Sequence, residues 1–218
     1  MAKIKDFKLR LYYLILSIII NGAGNALAIS TNLGSAVWTG SAVNLSKLTN
    51  IPLGTTLFLY GIIVTIMNQL LLGEFDRRRF FTNLMFALPF SYLVAFFKII
   101  FDLMGVPEYE FWFRVILDII GLFCVAMAVS MYSRANLMMH PNDDLAYIIR
   151  FKFVHGSAIL SQWASYIPPI LVIIVSYLIL HKLYAIGFGT IFALIMQGSM
   201  MKWSDTHTFT RLKHHVDI

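Results

Sequence analysis

Two adjacent acids, Asp143 and Asp144, follow Pro141 in a polar stretch between long apolar runs, and no other two acids in the chain are neighbours. A carboxylate held among apolar segments costs about 2.5–3.5 kcal/mol to insert and is kept for a use. Folded into a bundle, this pair can bind a cation, a proton or a substrate amine, with Arg150 as counter-charge. Otherwise Asp144 caps a short helix running to Phe151. Asn21 and Asn25 share a helix face at i,i+4 spacing beside Gly22 and Ala26, where an amide hydrogen-bonds either a ligand or a neighbouring helix. Asn32, Asn136 and Asn142 carry the same chemistry in or beside the polar stretches. Trp38 either stacks on a substrate or belongs to an interfacial belt. Asn21, Asn25, Asn32, Trp38, Asn136, Asn142, Asp143, Asp144 and Arg150 together form the candidate substrate-binding set.

Other charges read as structural. Arg114 with Asp118, and Lys98 with Asp102, are i,i+4 pairs expected at the ends of helices. His207, His214 and His215 near the C-terminal end read as a solvated tail rather than a metal site, and Cys124 as packing. No zinc-protease, nucleophile-elbow or Walker motif is present, so neither catalysis nor a metal or cofactor is expected.

The elements that position these residues follow from composition. The chain is 59% hydrophobic and only 13% charged over 218 residues, with a mean hydropathy of +0.75. Soluble domains run nearer half apolar and a quarter charged, so lipid must be the solvent here. Backbone in hydrocarbon must pair with itself, and apolar runs of about 20 residues do so as helices, not as alternating barrel strands. The expected fold is all-α, a single polytopic bundle over 1–218 with six transmembrane helices near 11–30, 53–73, 83–104, 112–133, 158–180 and 183–201. A tail covers 202–218.

Charge sets the orientation. Lys3, Lys5, Lys8 and Arg10, the run Arg77 to Arg79, then Arg134, Arg150 and Lys152, and finally Lys202, Arg211 and Lys213 fall on one side of a six-span bundle. Basic segments resist translocation, so both termini are expected in the cytoplasm, the bundle lying in the inner (plasma) membrane. The formal net charge of +6 sits at helix ends with no separate basic domain, which points to lipid and away from nucleic acid.

Two connections, 31–50 and 135–156, are long and polar. They either re-enter the membrane or lie along its interface as a short amphipathic helix. An offset of about 104 residues sets Asn32-Leu33 against Asn136-Leu137, and Gly22, Gly24 and Ala26 against Ala126, Ala128 and Ser130. Thr82 and Thr190 each precede an apolar run. Each half, about 9–104 and 112–201, then reads as three spans with one odd segment. An odd number of spans inverts the second half, which places a site near the midplane between the two.

The stretch from Leu33 to Thr39 with Trp38, then Leu45-Ser46 and Pro52-Leu53-Gly54-Thr55, resembles the first half of the YczE/YyaS/YitT group of bacterial membrane proteins, closest to its YczE-like branch. His140 to Leu145, and Gly187-Phe188-Gly189-Thr190 with Gly198, resemble its second half. Val37 and Thr39 stand where the group's pattern has Pro and Asp. The Arg-to-Glu pair common at the start of its fifth helix is missing from 157–165. The resemblance implies a multi-pass transporter or permease of undefined substrate. The expected function is therefore a membrane transporter for a polar small molecule or ion. The alternatives are a substrate-binding subunit of a vitamin importer of the energy-coupling-factor kind, which needs an energising partner, and a non-transporting scaffold. A homodimer is compatible with each.

Overall fold

Every regular element among the described residues is helical, as a backbone surrounded by hydrocarbon requires. The structure is a computed structural model and describes residues 6–212. Lys3, Lys5, Lys213, His214 and His215 lie outside the described residues. The order is α1 (Phe7–Ser30), α2 (Val37–Thr49), α3 (Leu53–Leu72), α4 (Arg77–Leu103), a 3₁₀ turn (Val106–Glu108), α5 (Phe111–Ala135), α6 (Pro141–Lys152), α7 (Ala158–Leu180) and α8 (Phe188–His207). Each half of the chain thus runs long helix, short helix, long helix, long helix.

Five of these, α1, α3, α4, α5 and α7, are long and apolar enough to cross a membrane. α8 has 20 residues, but Gln197, Lys202 and Asp205 dilute its apolar face, and it starts at Phe188 rather than at the expected 183. The third span, by contrast, begins earlier than expected, at Arg77 rather than 83. The Asp76 side chain accepts from the backbone N–H of Arg79 at 2.9 Å, a cap that draws Arg77, Arg78 and Arg79 into the first turn of α4 instead of a loop.

α1 and α5 pack against each other as the spine, with α4 beside α1 and α8 beside α5. Gly22, Gly24 and Ala26 on α1, and Ala126, Ala128 and Ser130 on α5, are all buried. A Cβ added to Gly24 would lie 2.6 Å from the Gly121 carbonyl oxygen, so the two backbones meet where neither carries a side chain.

Polar contacts define the two ends of the bundle. At one, Arg10 donates to the Arg134 carbonyl (2.7 Å) and Arg134 to the Thr208 carbonyl (2.9 Å), joining the start of α1 to the last turns of α5 and α8. Arg79 and Lys152 lie at this same basic end, Lys152 donating to the Leu72 carbonyl at 2.5 Å. At the other, Ser30 donates to Asp102 (2.8 Å) and Arg114 to the Thr31 carbonyl (3.1 Å). The expected ion pair of Arg114 with Asp118 is not formed. Arg114 turns to the end of α1 instead, and neither Asp118 oxygen has a hydrogen-bond partner. Lys98 and Asp102 do pair.

Both long connections fold into the bundle. At a rise of 1.5 Å per residue, α2 and α6 are about 20 and 18 Å long, too short to cross a core of about 30 Å. α2 packs on α7, and α6 on α3. α6 starts against the second half of α3, where Pro141 faces Gly61 and its carbonyl accepts from Asn68 (3.0 Å), and runs to the basic end at Lys152. α2 starts beside Asn25 on α1 and runs the opposite way, Asn44 bonding both the N–H (3.0 Å) and the carbonyl (2.7 Å) of Tyr184.

Candidate functional site

The first turns of α2 and α6 face a half-open cavity of about 60 Å³ within the bundle, bordered also by α1, α4, α5, α7 and α8. Its wall holds five of the expected residues, Asn21, Asn25, Trp38, Asn142 and Asp143. Each is placed by local chemistry. Asn25 donates to the Asn21 side chain (2.8 Å) and accepts from Thr39 at 2.7 Å, which ties the start of α2 to α1. Trp38 packs edge-on to Tyr60, whose hydroxyl shares a hydrogen bond with Ser41. Across the cavity, Pro141 takes the first position of α6, where its missing N–H costs nothing, and the His140 ring accepts from the Asn142 N–H at 3.2 Å. Asp143 accepts from the Tyr132 hydroxyl of α5. The Asn142 side-chain oxygen is buried with no partner. Asp143 is the one carboxylate among the lining residues, and no Lys or Arg is among them.

A second, larger cavity of about 330 Å³ opens near the basic end between α4 and the 136–139 segment. Arg78, Arg79, Thr82, Asn83, Asn136 and Asp144 border it, and Tyr132 borders both cavities. Asp144 is buried here, accepting from Asn83 (2.9 Å) and pairing with Arg79 at 3.2 Å. Its counter-charge is therefore Arg79. Arg150, expected in that role, donates instead to the Gly156 carbonyl (2.8 Å) and lies over the Phe151 ring, because its position on α6 turns it toward the α6–α7 connection. Nor does Asp144 cap the helix, since the His140 side chain does so.

Asn32 and Asn136 hold φ of +57° and +51° at the ends of α1 and α5. Asparagine tolerates this left-handed geometry and so stops both helices, a backbone role that leaves Asn32 outside the central cavity. Tyr132, His140, Gln162, Tyr166 and Gln197 also line the wall and lie outside the expected set. Gln162 and Tyr166 sit at i,i+4 on α7, and Gln197 interrupts an apolar run on α8. Uncharged polar side chains inside long apolar helices are the available signal.

Removing one partner of the Arg79–Asp144 pair strands a buried charge. For a fully buried pair this costs about 3–5 kcal/mol. Arg79 is 28% exposed, so solvent screens the loss and Arg79→Ala is expected to cost about 1–2 kcal/mol. Thermal unfolding in detergent checks this, and adding Asp144→Asn to Arg79→Ala is expected to recover part of the loss.

No curated protein and no solved structure matches the chain. The family model that does match extends over residues 8–206, and so over the whole path from α1 to α8 that builds both cavities. The chain belongs to DUF6198, a family of unknown function.

Proposed function

We propose that this chain is a small transporter for a polar molecule carrying a positive group, built of two inverted halves whose short helices meet at the substrate site. The observation that carries the reading is the convergence of the first turns of α2 and α6 on one polar cavity. Half-length helices ending at mid-depth between repeats are the construction that transporters use to hold a solute inside a membrane.

Several features support the doubling. The pairings of α1 with α4, α2 with α7 and α2 with α3 recur as α5 with α8, α6 with α3 and α6 with α7. Asn32 and Asn136 share a left-handed backbone at the offset of 104. The same offset relates Thr39, bound to α1, to Asp143, bound to α5. α8 lies along α5 and makes the sixth crossing on this reading, with the basic end in the cytoplasm. The resemblance to YczE-like proteins points the same way.

A single carboxylate with amides, phenols and an indole around it suits an amine or a small cation. The cavity as it stands holds about two waters, so a larger solute requires α7 or α8 to move. Both turn many large apolar side chains outward, Ile159, Trp163, Ile167, Ile191 and Ile195 among them, and α7 and α8 do not repeat the packing of α3 on α4. Purified chain in proteoliposomes, assayed by counterflow over a panel of small amines, amino acids and monovalent cations, tests the proposal. Exchange of at least one solute is the expected result. A folded chain that exchanges none of them alone, and does so only with an ATPase partner, would favour the importer-subunit alternative.

A further inference from the structure

The two halves present the same junction in two different states. At the end away from the basic loops, the turn after α1 is stitched to the start of α8. The Gly189 N–H donates to the Leu33 carbonyl at 3.1 Å, the Ser35 N–H to Thr190 Oγ1 at 3.3 Å, and the Ser35 hydroxyl to the Ala185 carbonyl at 3.1 Å. Nothing fits between them. A Cβ on Gly34 would stand 2.6 Å from the Thr190 nitrogen, and one on Gly187 would stand 2.5 Å from the Leu33 oxygen. The junction also seals Asp118, whose carboxylate lies against Gly189 with both oxygens buried and unpartnered.

The counterpart of Asn32 to Ser35 is Asn136 to Met139, and Thr82, like Thr190, stands in the first two turns of the last helix of its half. Those residues are not stitched. The 136–139 segment and Thr82 both border the 330 Å³ cavity at the basic end. Between that cavity and the central one stands Tyr132, which borders both and donates to Asp143.

We infer that the 330 Å³ cavity is the open mouth through which a polar solute reaches Asp143 from the basic side, with Tyr132 as the last barrier, and that the Leu33–Ser35 junction with α8 is the same mouth shut on the far side. This rests on the transporter reading above. In the opposite state Leu137, Met138 and Met139 close onto the start of α4, for which the unbranched methionines are suited, while Leu33 to Ser35 part from α8. The Ser35 junction contains few bonds and all are neutral, so its opening is cheap enough for a cycle.

The test is site-directed thiol labelling of the full chain. Cys124, the single native cysteine, is replaced by serine, and Thr82→Cys and Ser35→Cys are introduced separately. A membrane-impermeant maleimide is applied to sealed vesicles of both orientations. Thr82→Cys is expected to label from the basic side at least tenfold faster than Ser35→Cys from the other. Adding Thr190→Val removes the oxygen that accepts from Ser35 and Gly187. It is expected to speed labelling at Ser35→Cys and slow it at Thr82→Cys, each severalfold, while Thr190→Ser changes neither rate. An unchanged unfolding temperature first establishes that each variant is folded, and in folded protein parallel or absent changes overturn the inference. Labelling needs no solute, so the two failures separate: reciprocal labelling without counterflow removes the transporter reading, and counterflow without reciprocity removes only the paired mouths.

Discussion

Asp143→Asn is expected to abolish most recognition of a positively charged solute while leaving the protein folded. The substitution keeps size and shape, and the Tyr132 hydroxyl that donates to the carboxylate can still donate to the asparagine oxygen. What is lost is the charge, in a cavity whose lining residues include no other carboxylate. A hydrogen bond to a charged group contributes about 1.5–3 kcal/mol, so affinity should fall roughly 10- to 150-fold. The rise in unfolding temperature produced by a bound amine measures this directly, because stabilisation follows RT ln(1 + [L]/Kd). Asp102→Asn is the contrasting change. Asp102 is also acidic, but it pairs with Lys98 at the edge of the bundle and borders neither cavity, so ligand response should persist. Equal affinity in Asp143→Asn and the parent would remove Asp143 from the site.

The bundle was legible in the sequence because lipid imposes a simple rule on long apolar runs. Helix limits were less so. Arg77 to Arg79 read as loop because charge count cannot reveal the Asp76 cap that winds them into α4. The start of α8 is hidden in the sequence, because apolar residues from 183 onward do not show that Tyr184 and Ala185 are occupied by backbone bonds to Asn44 and Ser35. The site was half legible. Asn21, Asn25, Trp38, Asn142 and Asp143 announce themselves as polar or aromatic groups at special places, and they do converge. Arg79 and Arg150 could not be told apart as partners for Asp144, since both are basic and only the path of the chain decides which one reaches it. The amides of Asn32 and Asn136 suggest binding, whereas their backbone geometry is what the turns require.

The spine of the molecule is tested hardest at Gly24. A Cβ there would come within 2.6 Å of the Gly121 oxygen and 3.0 Å of the Cys124 Cβ. The reciprocal addition at Gly121 would stand 2.8 Å from the Gly24 oxygen. Backbone oxygens cannot rotate aside as side chains do, so Gly24→Val forces α1 and α5 apart along the seam that also carries Asn21, Asn25 and the cavity wall of α5. Overpacking a core costs about 1–3 kcal/mol, occasionally more. Gly24→Val should reach the upper end, because the branched side chain meets the backbone of α5 in a seam packed over a long length. Gly198→Val is its control, since a Cβ at Gly198 meets nothing within 4 Å and its cost should stay within about 0.5 kcal/mol. Unfolding temperature and monodisperse yield in detergent separate the two: a large drop confined to Gly24→Val is expected. A Gly24→Val protein as stable as Gly198→Val would mean that α1 and α5 do not approach at these glycines, and the small-residue seam on which both halves are hung would fall with it.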